Sequence, residues 1–125
     1  MKIIHSDKAP AAVGPYSQAI AAGGFIFASG QIPLDVETGA IRGEDIAAQT
    51  EQIIRNISAV LSEAGSDLTH VVKTTCFLRN MGDFAAFNAV YEKHFAGKPA
   101  RSCVEVSALP KGALVEIEVI ALPLE

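Results

Sequence analysis

The pattern of apolar residues predicts an α+β domain, with a mixed six-stranded sheet and two helices packed on one of its faces. Three observations carry this prediction. Apolar residues recur at three- and four-residue steps over 44–64 and again over 83–95. Short stretches of alternating or continuous apolar character fill the first 30 residues and the last 25. Turn signals, Gly23-Gly24, Thr38-Gly39 and Leu109-Pro110-Lys111-Gly112, separate them.

The elements follow in order. Lys2–His5 is a short strand, and Ser17–Ala22 and Phe25–Ser29 are two more around the Gly23-Gly24 turn. Asp35–Gly43 is polar and reads as a loop. Over Glu44–Ala64, Ile46, Thr50, Ile53, Ile57, Val60 and Ala64 form one buried helical stripe, with Gln49, Gln52, Arg55 and Glu63 on the solvated side. Gly65 ends this helix, because it takes the left-handed conformation without a steric penalty. Val71–Arg79 alternates as a strand, with Val72, Thr74, Cys76 and Leu78 on one face. Asp83–Phe95 is the second helix, with Phe84, Phe87, Tyr91 and Phe95 along one side. Arg101–Ser107 and Leu114–Leu122 are the last strands. Helices confined to one face leave the other sheet face to solvent or to a partner.

At 125 residues the chain suits a single domain spanning 1–125. The charged fraction is 19%, below the roughly 25% usual for soluble domains, which fits either apolar surface buried between subunits or a dense single core. The net charge of −4 and the absence of any Lys/Arg run argue against nucleic acid as a partner. No apolar stretch is long enough to span a membrane, and the N-terminus turns polar after Ile3-Ile4. A cytoplasmic location is the expectation, with Cys76 and Cys103 as reduced thiols.

Glycine-rich phosphate loops, a Gly-x-Ser-x-Gly elbow and Cys-x-x-Cys are absent, and His5, His70 and His94 stand alone rather than at metal-ligand spacing. Two regions remain. In Pro99–Val106, Arg101 and Cys103 share a strand face, and an arginine there can present its planar fork to a carboxylate; the plainer reading is a surface salt bridge. In Leu114–Ile120, Glu116 and Glu118 interrupt an apolar run, where partial desolvation raises a carboxyl pKa and prepares it for proton transfer; the plainer reading is that both are ordinary outward residues of a half-exposed strand. Spacing does not separate Glu116 from Glu118. Tyr16, after the Gly14-Pro15 turn, either lids a small site or anchors the turn. Cys103 has no histidine near it in sequence to activate it, and a strand cysteine is more often a small hydrophobe.

Four stretches together resemble the RidA/YjgF family of imine deaminases: Ala11–Gln18, Ala28–Pro33, Val72–Leu78, and Pro99–Val106 joined to Val115–Glu118. The resemblance covers essentially the whole chain. It implies a chorismate-mutase-like α+β fold and a homotrimer whose sheets form an inner β-barrel, with sites between subunits. It implies that Arg101 anchors the substrate carboxylate, that Glu116 rather than Glu118 acts beside the water, and that Tyr16, Ser29, Gly30, Asn88 and Cys103 line the site. The implied reaction is hydrolysis of 2-iminobutanoate and 2-iminopropanoate to 2-oxo acids and ammonia, with no metal and no cofactor. The stretch His94–Lys98 is shorter than in some members, which leaves substrate size open. The alternatives are an endoribonuclease or translation inhibitor, and a non-catalytic chaperone-like regulator.

Overall fold

Gly23 and Gly24 take φ values of 61° and 82°, the left-handed pair that a tight hairpin turn requires. They fold strand β2 (Ala19–Ala22) antiparallel onto β3 (Phe25–Gln31), and β1 (Lys2–Ile4) pairs with the outer edge of β2. The computed structural model describes all residues from Met1 to Glu125. Helix α1 (Ile46–Glu63) leads into β4 (Val71–Leu78), and helix α2 (Phe84–His94) connects β4 to β5 (Ala100–Glu105). The last strand, β6 (Val115–Ala121), inserts between β3 and β4, so the sheet order is β1-β2-β3-β6-β4-β5. Only β4 and β5 run parallel, as expected for strands joined by a helical crossover. The predicted α+β class, six strands and two helices all stand, with element ends shifted by at most two residues.

The core lies between the sheet and both helices. Val115, Ile117, Val119 and Ala121 point into it from β6, as the alternation predicts, to meet Ile53, Ile57, Val60 and Leu61 of α1 and Phe87 of α2. The buried stripe of α1 is wider than the sequence reading, taking in Ile54 and Leu61, whereas Ala64 at its end is only partly covered. Asp45 starts the helix by accepting the Ala48 N–H at 2.8 Å.

Two expectations are corrected. Gln49 and Gln52, read as solvated, are buried. Gln49 accepts the Leu114 N–H at 2.8 Å and donates to the Gly43 carbonyl at 3.1 Å. Gln52 donates to the Leu34 carbonyl at 3.3 Å and to Asn56 Oδ1 at 2.9 Å. The glutamine amides satisfy backbone groups of the loops crossing this flank of α1, the Gly43 and Leu34 carbonyls and the Leu114 N–H. In β4, Val71 is buried and Val72 exposed, the reverse of the expected face. A register shift against β6 between Val71 and Lys73 inserts an unpaired residue and flips the alternation at that end.

The opposite sheet face is uncovered and apolar. Ile3, Ile20, Phe27 and Ile120 pair in succession across β1, β2, β3 and β6. Ile3, Phe27 and Val104 are 64%, 45% and 46% exposed, a level of apolar exposure unusual on a solvated sheet. No helix is long and apolar enough to cross a membrane.

Candidate functional site

Arg101 is the second residue of β5 and pairs in register with Thr74 of β4. Thr74 is fully buried beneath α2, so strand alternation sends Arg101 toward the same helix. There its Nη1 donates to Asn88 Oδ1 at 2.7 Å. Its guanidinium carbon lies 4.7 Å from the Tyr91 ring centroid, 5.5 Å from Phe84 and 6.0 Å from Phe87. Residues 84, 87, 88 and 91 are linked by three- and four-residue steps, so α2 presents a single face of three rings and one amide to the cation. Ring contacts of this kind contribute about 0.5–2 kcal/mol according to desolvation. None of the salt bridges in the structure includes Arg101. A half-buried guanidinium therefore keeps most of its donors for an anion from outside the chain.

Cys103, two residues along β5, faces the same way and pairs with Cys76. Burial pushes the Cys76 thiol up to about 12. Burial also raises Cys103, against the weaker opposing pull of Arg101. Both sulfurs are held as thiols, and Cys103 is not primed as a nucleophile.

A second cluster forms on the other face of the sheet. Glu116 of β6 lies opposite Phe77 of β4, between the inward-facing Val115 and Ile117. Irregular pairing between Ala28 and Gln31 brings Gly30 of β3 directly against it. A Cβ at Gly30 would sit 2.9 Å from the Glu116 carboxyl carbon, so only glycine leaves that carboxylate its present position. Tyr16, Gly30 and Glu116 line a cavity of about 330 Å³ with Val13, Ile32 and Lys111. Burial raises the Glu116 pKa above the ordinary value of 4.5, and the charge of Glu118 adds to the rise. Glu118 itself is exposed and pairs with Thr75, outside this cavity. Ser29 has a scaffold role beside the cluster: its hydroxyl donates to the Ser17 carbonyl at 2.6 Å and its N–H to the Gln18 carbonyl at 2.9 Å.

The structure thus brings Arg101, Asn88 and Cys103 together, and separately Glu116, Gly30 and Tyr16, with Ser29 adjoining. Within one chain the two groups do not meet. Tyr16 and Asn88, expected to close one pocket, belong to different groups. Sequence reasoning missed three contributors. Tyr91 and Thr74, joined through their hydroxyls at 2.7 Å, build the floor under Arg101. The aromatic spacing of α2 was legible, but Asn88 falling on the same stripe was the signal that the stripe serves a polar group. Gln18 is the third: it accepts the Ser6 N–H at 2.6 Å and donates to the Pro10 carbonyl at 2.8 Å, pinning the segment that carries Val13 and Tyr16.

A mixed six-stranded sheet with two helices on one face and irregular pairing beside a half-buried carboxylate is the layout of the chorismate-mutase-like α+β domains. Residues 6–123 match the family model described as endoribonuclease L-PSP. The chain is 47% identical to the 2-iminobutanoate/2-iminopropanoate deaminase of Salmonella typhimurium, over 97% of each chain. It superimposes on the Yersinia pestis protein YyfA, of the conserved Rid protein family, with a TM-score of 0.93 and 52% identity over 97% of this chain and 98% of that one. It is also similar to Escherichia coli TdcF, solved with bound serine, at a TM-score of 0.92 and 40% identity over 99% and 100% of the two chains. The chain belongs to the RidA/YjgF family.

Proposed function

We propose that this protein hydrolyses small 2-imino acids, such as 2-iminobutanoate and 2-iminopropanoate, to 2-oxo acids and ammonia. The observation that carries this reading is Arg101: a half-buried cation on an aromatic floor, oriented by Asn88, with no carboxylate of its own chain to neutralise it. Such a group fits the carboxylate of a small acid through two parallel hydrogen bonds. The serine bound to TdcF and the activity named for the Salmonella relative both support an amino-acid-like ligand.

The working site joins two protomers of a homotrimer. The Arg101 group of one chain faces the Glu116 group of its neighbour, and the apolar sheet faces pack as an inner barrel. Ile3, Phe27 and Val104, exposed in the single chain, support that assembly. Cys103 and Asn88 line one wall, and Tyr16, Ser29 and Gly30 the other.

Arg101 fixes the carboxylate, which holds the C=N carbon near water; such positioning contributes up to about 7–11 kcal/mol in ideal cases. Glu116, its pKa raised, takes a proton as water attacks that carbon. The imine nitrogen gains protons, the C–N bond of the resulting amino alcohol breaks, and ammonia leaves as the carbonyl forms. Water is the sole co-reactant.

The test is release of 2-oxo acid and ammonia from an imine generated in situ by a threonine dehydratase, with semicarbazide as competing trap. Wild type is expected to outrun the trap and Arg101→Ala to fail. Equal behaviour of the two proteins overturns the reading. The family description favours RNA cleavage as a second reading; ribonuclease activity that persists through high-salt purification and vanishes in Arg101→Ala would replace the first.

A further inference from the structure

We infer that Tyr91, held by Thr74, is a positioning residue that sets the plane of the Arg101 guanidinium. This rests on the reading of Arg101 as a carboxylate anchor. The hydroxyl of Tyr91 is bonded to Thr74 Oγ1 at 2.7 Å, and Cys76 Sγ donates to the same oxygen at 3.8 Å. Thr74 is fully buried and Tyr91 only 8% exposed. The Tyr91 ring is wedged between Phe87 and Phe95, at centroid distances of 5.6 and 4.5 Å, so it has no room to turn. Arg101 lies closer to this ring than to either other ring of the cluster.

The topology closes these contacts into a circuit. Thr74 is the in-register neighbour of Arg101 on the adjoining parallel strand. Tyr91 sits on the helix that connects those same two strands. The residue that grips the ring is thus the ladder partner of the residue the ring supports. The ring face limits tilt of the guanidinium, and the Asn88 amide at Nη1 limits its rotation in the plane. Bidentate recognition of a carboxylate depends on both, because the two N–H vectors must reach two oxygens together.

The test compares wild type, Arg101→Ala, Tyr91→Leu, Tyr91→Phe and Thr74→Val in the imine assay. Affinity for 2-oxobutanoate, a carboxylate not turned over, is measured in parallel by titration calorimetry. Tyr91→Leu removes the ring and is expected to raise KM and weaken 2-oxobutanoate about tenfold, with a smaller fall in kcat. Tyr91→Phe and Thr74→Val keep a ring but release its grip, and are expected to raise KM a few-fold. A merely structural role would lower kcat with the folded fraction and leave KM unchanged; that result, or unaltered 2-oxobutanoate affinity in Tyr91→Leu, overturns the inference. Should Tyr91→Leu fail to fold, wild-type KM in both milder variants overturns it equally. Should wild type release no oxo acid, the deaminase reading fails by itself, and the calorimetric series still decides whether Tyr91 positions Arg101.

Discussion

Arg101 and Glu116 stand on opposite faces of one sheet, the first under α2 beside Asn88 and the second against Gly30 on the uncovered side. Rotamer changes cannot bring them together, because the sheet lies between. If both serve one reaction, they come from different protomers. On the proposed function Arg101→Ala and Glu116→Ala are each expected to be inactive, and should therefore complement when unfolded and refolded as an equal mixture. Random assembly leaves roughly a quarter of the intersubunit sites with both native residues. Recovery of about that share of wild-type turnover is the expected outcome. A mixture no better than its components would show that the two residues do not act across one interface.

On the proposed function, Glu116 links activity to stability. Burial raises its pKa in the folded chain, so its ionisation works against folding. Its favourable contribution is whole below the ordinary value of 4.5 and is lost as pH rises through the raised folded value. Glu116→Gln should consequently unfold at higher urea than wild type at pH 7, with the gap closing toward pH 4. The same variant should lose up to about 10²–10⁴-fold in imine hydrolysis. A midpoint lower than wild type at pH 7 would mean that the ionised carboxylate is stabilised by partners rather than penalised by burial.

Most of the fold was legible because its signals are local. The repeats of Ile53, Ile57 and Val60, the Gly23-Gly24 pair and the alternation of Val115, Ile117 and Val119 each report the period of one element. Gln49 and Gln52 were misread because their burial is set by loops distant in sequence, whose backbone groups the amides satisfy. The Val71–Val72 flip was hidden for a similar reason, since a register shift depends on the partner strand. For the candidate site, alternation placed Arg101 and Cys103 on one face correctly. That this face opposes the one bearing Glu116 follows from the joint registers of β4, β5 and β6, which no single segment encodes. Glu116 and Glu118 were inseparable by spacing, and the irregularity at Gly30 is what distinguishes their surroundings.

That irregularity yields a prediction of its own. Gly30 has ordinary negative-φ backbone, so alanine is tolerated there conformationally, yet its Cβ would displace the Glu116 carboxyl. Because a glutamate can swing aside, Gly30→Ala should destabilise by only about 1 kcal/mol. Imine hydrolysis should fall far more than the folded fraction, with the Arg101 side still binding 2-oxobutanoate. Wild-type turnover in Gly30→Ala would show that the present position of Glu116 is not the working one.

One glutamine amide braces the loops beside the cavity. Gln49 reaches from α1 to both the Leu114 N–H and the Gly43 carbonyl, tying the segment before β6 to the loop before α1. Gln49→Leu fills the same space with an apolar side chain and strands both backbone groups. An unsatisfied buried group costs about 1–3 kcal/mol, and both of these bonds are partly buried, so a loss of about 2 kcal/mol is expected in urea unfolding. Arg55→Leu, an exposed change on the same helix, should stay within about 0.5 kcal/mol of wild type and serves as the reference. Lys111, in the segment that Gln49 braces, lines the Glu116 cavity and donates to the Gly39 carbonyl at 2.8 Å. The Gln49→Leu protein that remains folded should therefore show reduced imine hydrolysis as well. Equal unfolding midpoints for Gln49→Leu and Arg55→Leu would mean that water replaces the lost amide and that the tie contributes little.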